Sequence, residues 1–248
     1  MKHTCIVIFA LCCHFSVTAQ KTSLAPECEL FAGFDMGATL PLPLPPEVRE
    51  LGSWSPGLSG TLALQATHWV KPDRGLSLGL AIERKGMRAT AGVKYWQTSI
   101  EVGEGEQSGR FSGTFSGENT TEMGGVYLVI PLCAAWRPDE GHWTFRCGGY
   151  AALLVSAVFR GTASDGYIRN GGPTGERISV DHATFDFSDR LRRSDFGLIA
   201  SANRSLSARL SARGQLSWGL RPVLPDSFKG IPYKMYNVYS ALGLSYVL

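Results

Sequence analysis

Alternation with a period of two, repeated in segment after segment, is what most restricts the folds open to this chain. In LSARLSARGQLSWGLR (206–221) the even positions are Leu206, Ala208, Leu210, Ala212, Gly214, Leu216, Trp218 and Leu220. The odd positions are Ser207, Arg209, Ser211, Arg213, Gln215, Ser217, Gly219 and Arg221. The LSAR repeat also sets Leu206 and Leu210 four apart, which suits a helix face. The rest of the sequence decides between the two. Leu58, Gly60, Leu62, Leu64 and Ala66 alternate with Ser59, Thr61, Ala63, Gln65 and Thr67. Leu76, Leu78, Leu80 and Ile82 alternate with Ser77, Gly79, Ala81 and Glu83. Val126, Leu128, Ile130, Leu132 and Ala134 share one parity, as do Val238, Leu242, Leu244, Tyr246 and Leu248. A two-residue period held over such lengths marks strands.

The pattern predicts eight strands, near 29–38, 57–70, 75–100, 123–137, 142–160, 193–203, 205–221 and 234–248. Their connections alternate in length. KPDR (71–74), PDEGH (138–142) and NRS (203–205) are short, whereas the Pro-rich 39–57 and the polar 101–122, 161–192 and 222–233 are long. An antiparallel meander then gathers the short turns at one end and the long loops at the other, as transmembrane barrels do. A soluble barrel would show water an outer face rich in Lys and Glu. Here the polar parity is mostly Ser, Gly, Ala and Thr with a few Arg and Glu, which suits a narrow interior filled by side chains. Aromatics gather near strand ends: Trp69, Trp136, Trp143 and Tyr246 by the short turns, Tyr95, Trp96, Tyr233 and Tyr236 by the long connections. That is the expected pair of interfacial girdles. The fold class expected is all-β, an eight-stranded antiparallel up-and-down transmembrane β-barrel, leucines toward lipid and arginines in the lumen.

The N-terminal stretch agrees with that destination. Lys2 and His3 precede the apolar run Cys5 to Val17, and Val17-Thr18-Ala19 forms a small-residue cleavage site. Residues 1–19 read as a secretory signal peptide, leaving one domain over 20–248 in the bacterial outer membrane. The apolar run is too short for a bilayer-spanning helix. Beyond it remain Cys28, Cys133 and Cys147, without metal-ligand spacing. Cys133 and Cys147 fall on opposite faces of neighbouring strands, so no disulfide between them is expected. The 24 basic and 21 acidic residues nearly balance, which argues against nucleic acid and against a polybasic membrane patch.

Parity selects Glu83, Arg146, Asp195, Arg209 and Arg213 as a lumen charge network, with Asp35 joining from the first strand. A buried charge without a partner is costly, so the structural reading is mutual pairing within a barrel too narrow for a pore. No Ser-His-acid set falls on one strand face: His68 has the apolar parity, His142 lies in a turn and His182 in a long loop beside Asp181. No catalytic, cofactor or metal site is expected, Asp181, His182, Asp186 and Asp189 reading as a solvated loop. Stretch 101–122, with Glu101, Glu104, Glu106, Glu118 and Glu122 among Gly, Ser and Thr, reads as a mobile external loop.

Several segments resemble a known family. VYLVIPLCAAWRP resembles the Tyr-Leu-Glu-Ile-Pro-Leu segment of the PorT-type outer-membrane β-barrel family of Bacteroidetes: Tyr127, Leu128, Ile130, Pro131 and Leu132 match, and Val129 replaces the usual acidic residue. CGGYAALLVSA (147–157) is similar to its glycine-rich fifth strand, and Asp195-Phe196-Gly197 to its sixth. YNVYSALGLSYVL (236–248) is similar to its closing strand, with Leu248 where an aromatic is frequent. The resemblance implies an outer-membrane barrel, and its named member is associated with type IX secretion. The leading functional class is therefore a non-enzymatic structural or interaction protein, partnered by outer-membrane lipid and by an envelope or secretion-complex protein. The alternatives are a narrow solute channel and a lipid-modifying enzyme.

Overall fold

A computed structural model describes residues 26–42, 47–102, 109–138, 142–170, 175–228, 231 and 233–248. The expected signal peptide lies outside them. Among the described residues there are ten strands: β1 (Glu27–Pro41), β2 (Val48–Pro56), β3 (Gly60–Lys71), β4 (Arg74–Val102), β5 (Gly109–Trp136), β6 (Trp143–Asn170), β7 (Arg177–Asp186), β8 (Ser194–Ser205), β9 (Leu210–Gly219) and β10 (Met235–Val247). Eight of them form a hydrogen-bonded ring, β1-β3-β4-β5-β6-β8-β9-β10, which returns to β1 through antiparallel pairing with β10. At that seam Gly243 faces Gly33, and a Cβ on Gly243 would run into the backbone carbonyl of Ala32. Only glycine lets the two backbones come so close.

Parity works as the sequence predicts around the ring. Thr61, Gln65, Thr67, Ser77, Glu83, Arg213 and Ser217 are buried, while Leu62 (54%), Leu76 (58%), Leu132 (59%) and Leu242 (72%) stand mostly exposed on the outer face. So continuous an apolar exterior needs an apolar surrounding. Each such leucine gains roughly 1–2 kcal/mol on leaving water.

The long connections depart from expectation. β4 and β5 pair from Arg74↔Trp136 out to Val102↔Gly109, so much of 101–122 is strand, not mobile loop. β6 likewise runs to Asn170, β7 from the polar stretch 161–192 pairs with it, and β2 from the Pro-rich connection pairs with β4. The result is a five-stranded extension, β2-β4-β5-β6-β7, standing beyond the ring. On β4 the chemistry of the two faces inverts at the junction. Below it Ile82 is outside and Glu83 and Lys85 inside; above it Arg88 and Lys94 are outside, while Met87 and Val93 are buried inside. The outer face passes from apolar to polar there, which marks where an apolar surrounding ends and water begins.

The turn between β8 and β9 is also displaced. β8 continues through Ser205, and Leu206–Arg209 make the turn: Leu206 N and Ser207 N both donate to Leu210 O, at 2.8 and 3.0 Å. The first LSAR is therefore a turn and the second a strand.

Candidate functional site: a charged plug beneath an apolar chamber

Seven charged side chains are buried in the ring among the described residues: Glu29, Asp35, Glu83, Asp195, Lys85, Arg146 and Arg213. They fall into two groups. Nearer the short turns, Arg146 Nη2 donates to Glu29 Oε2 at 2.7 Å, and Asn203 Nδ2 donates to Glu29 Oε1 at 2.7 Å. Arg213 stands 3.7 Å from the same carboxylate and donates to Gln65 Oε1 and Gln215 Oε1, each at 2.7 Å. Its guanidinium lies 4.6 Å from the centroid of the fully buried Phe31 ring. A planar guanidinium can meet a carboxylate and two amides at its edge while stacking on an aromatic face.

The second group lies toward the long hairpins. Lys85 pairs with Glu83 at 3.0 Å and sits 5.2, 5.4 and 5.6 Å from the rings of Tyr127, Tyr150 and Tyr239. An ammonium surrounded by three aromatic faces is held by their quadrupoles as well as by its carboxylate. Thr61 Oγ1 donates to Asp35 at 2.7 Å, and Asp195 accepts from Tyr150 OH at 3.1 Å and Asn237 Nδ2 at 3.0 Å. These bonds tie together strands on all sides of the ring and fill its cross-section.

Of the five residues that parity selects for this network, Glu83, Arg146, Asp195 and Arg213 lie in the interior. Arg209 does not. It lies in the β8–β9 turn with its side chain exposed, because the chain reverses at Leu206–Arg209 before the strand begins. Glu29 and Lys85 are the partners that sequence reasoning missed. Glu29 shares parity with Phe31 and Asp35, and Lys85 with Glu83, which was the available signal. His68 and His182 are both exposed, and His182 with Asp181 lies on β7.

Above the plug, between the extension and the ends of β1 and β10, is a chamber of about 610 Å³. Its walls include Met87, Val93, Phe115, Phe159 and Ala163 from β4, β5 and β6, and Tyr233 from the segment before β10. Trp96 also lines it, stacked on Tyr233 with ring centroids 6.4 Å apart. Trp96 and Tyr233 are thus not part of an outer girdle, as the sequence had placed them. The reason is a bulge. Tyr95 has φ 57° and breaks the register between Val93 and Trp96, its N–H donating to Ser116 Oγ at 3.0 Å. One extra residue moves everything after it to the other face. Burial, with the Glu47 carboxylate adding to it, pushes the Tyr233 hydroxyl up to about 12, so it stays a neutral phenol. Of the other expected girdle residues, Trp136, Trp143, Tyr95 and Tyr246 are exposed. Trp69 is half-buried beneath Arg137 and donates to Glu27 Oε2 at 3.2 Å.

Among solved structures, the chain is similar to Ail, the attachment invasion locus protein of Yersinia pestis, in complex with the heparin analogue sucrose octasulfate. Identity is 10%, 91% of this chain and 100% of that one are covered, and the TM-score is 0.38. It is also similar to the NanC porin (9% identity, 89% and 100% covered, TM-score 0.26) and to the transport unit of the autotransporter AIDA-I from Escherichia coli (12%, 94% and 94%, 0.18). No curated protein matches the chain. The family profile described as outer membrane protein beta-barrel domain matches residues 18–224, from before β1 to beyond β9. A match over most of the sequence, on a ring with apolar outer and charged inner faces, shows that the chain belongs to that outer-membrane β-barrel family.

Proposed function

We propose that this chain is a non-enzymatic outer-membrane protein, its ring a closed transmembrane up-and-down barrel reached after signal-peptide cleavage near Ala19. Its role is structural or interactive, not conductive. One observation carries the reading: Glu29, Arg146 and Arg213 are paired across the lumen and nearly inaccessible. A solute would have to break these buried pairs, and each stranded charge would cost several kcal/mol. The narrow channel is thereby the weaker alternative. Activity then belongs to the extension and the rims. The PorT-type resemblance of 127–132, 147–157, 195–197 and 236–248 supports an envelope or secretion-complex protein as partner.

Single-channel recording in planar bilayers tests the first part. The expected result is no stepwise conductance from the wild type. Steady openings from wild-type protein would restore the channel reading. Crosslinking in intact cells, with photoreactive residues on the outer face of the extension at Arg88 and Arg160, tests the second. Recovery of an envelope protein is expected; crosslinks to lipid alone would leave a purely structural barrel.

A further inference from the structure

The chamber is a strange thing to find above a sealed plug. Packed interiors leave few voids larger than a water molecule. This partly open chamber, at about 610 Å³, is far larger than the space a single water needs. It falls within the range of small-molecule sites, about 300–1,000 Å³. Its walls also include Ala38 and Leu40 of β1 and Val238 of β10, so it reaches from the extension down to the ends of these two ring strands.

The lining has a definite chemistry. No Asp, Glu, Lys or Arg contributes to it among the described residues; Met87, Val93, Phe115, Phe159 and Phe185 dominate. Apolar voids do not hold ordered water well. One polar group is left over. The indole Nε1–H of Trp96 is buried and has no hydrogen-bond partner among the described residues. A buried donor of this kind costs stability unless an acceptor reaches it, and because it is closed off from the empty chamber a small turn of the indole must bring it to the chamber surface. The plug does not use this group, and neither does the pairing of β4 with β5, which engages the backbone of Trp96 alone.

We propose that the chamber is a binding site for an uncharged, hydrocarbon-rich small molecule carrying a carbonyl or ether oxygen, which accepts from Trp96 Nε1. The apolar body packs against the Met87, Phe115 and Phe159 walls, and the stacked Trp96–Tyr233 pair stands beside the polar end. The absence of a lining cation disfavours an ionised carboxylate, so an ester binds better than the corresponding acid. This goes beyond the interaction role above and is independent of whether the rim captures a protein.

The test uses the full-length protein in lipid nanodiscs and three diazirine-bearing probes: methyl palmitate, palmitate and an alkane of equal length. After photolysis, labelled peptides are mapped by mass spectrometry. Methyl palmitate should label peptides containing Met87, Phe115 and Phe159, with palmitate at pH 8 labelling them much less. Trp96→Phe keeps an aromatic ring but removes the donor. It should lower ester labelling roughly three- to tenfold, the worth of one hydrogen bond, and leave alkane labelling unchanged. Ala163→Trp should abolish chamber labelling by filling the space. If that variant fails to fold, judged by whether its gel mobility changes on heating as a closed barrel's does, Ala91→Phe, in the same row of the sheet one strand beyond Asn119, provides the same block. Labelling confined to outer positions such as Leu62, Leu132 and Leu244, in wild type and variants alike, would overturn the site. Equal loss of ester and alkane labelling in Trp96→Phe would overturn the acceptor.

Discussion

Arg146 on β6 reaches Glu29 on β1 at 2.7 Å across the full width of the ring, since four strand-to-strand steps separate β1 from β6 in either direction. The same carboxylate stands 3.7 Å from Arg213 on β9. One acid thus serves two buried bases.

Glu29→Gln should therefore be costly. It leaves two buried guanidinium groups without a carboxylate, and breaking such a pair from one side typically costs about 3–5 kcal/mol. Urea titration of the protein in lipid vesicles measures this. Glu122→Gln, removing the exposed partner of Arg160, should cost no more than about 1 kcal/mol in the same assay.

The outer face gives a depth-dependent test. Leu242 lies between Tyr236 and Tyr246 on β10 and is 72% exposed. Leu242→Arg should lose about 2–4 kcal/mol, the cost of arginine near a bilayer midplane. Leu210, the first residue of β9 and the register partner of Tyr246, lies at the short-turn end, and Leu210→Arg should lose no more than about 1 kcal/mol. Equal losses at both positions would contradict the proposed membrane placement.

Cysteine labelling separates the faces without mutation. Cys147 is exposed and Cys133 buried, on adjacent strands where Ala134 faces Cys147. A membrane-permeant maleimide should modify Cys147 in the folded protein, and Cys133 only after denaturation.

The extension should fail separately from the ring. Phe115 is 1% exposed and packs with Val93, Ala163, Ile168 and Val180, a cluster belonging to the extension. Phe115→Ala should cost about 3–5 kcal/mol locally. Limited trypsin digestion should then cut within β4 to β7 beyond the ring while the heat-shifted band of the core persists. Loss of that band would mean that ring and extension unfold together.

The ring was legible because parity and burial coincide there: Leu76 to Ile82 face outward and Ser77 to Glu83 inward without interruption. The extension was not, for two physical reasons. Its strands are apolar inside and polar outside, so Glu118, Thr120 and Glu122 on β5 look like a solvated loop when only one parity is being sought. Its bulges at Tyr95 and Asp165, both with positive φ, then move the alternation by one residue. Arg209 failed for a different reason. A turn made by Leu206, Ser207, Ala208 and Arg209 contains no Gly, Pro or Asn to mark it, and it continues the strand's alternation through the reversal.

Glu29 and Lys85 were missed because each lies among other charged residues. Lys85 follows Glu83 and Arg84, and only the inward turn of alternate residues separates Arg84, which is exposed, from its two buried neighbours. The chamber was out of reach of the sequence altogether. It depends on bringing together residues from β1, β4, β5, β6 and the segment before β10, far apart in sequence, which no local pattern encodes.

The seam between β1 and β10 governs the order in which the molecule can assemble. Thr39 and Asn237, hydrogen-bonded at 2.7 Å across it, are 198 positions apart in sequence. Hairpins such as β3–β4 and β8–β9 need only local contacts and form early, whereas pairing over such a separation is slow. Until β10 arrives, β1 keeps a bare edge of amides and carbonyls, open to pairing with any other chain. The interval between synthesis and closure is thus the protein's period of greatest risk of aggregation. An insertion factor or chaperone that held the β1 edge during that interval would protect the chain when it most needs it.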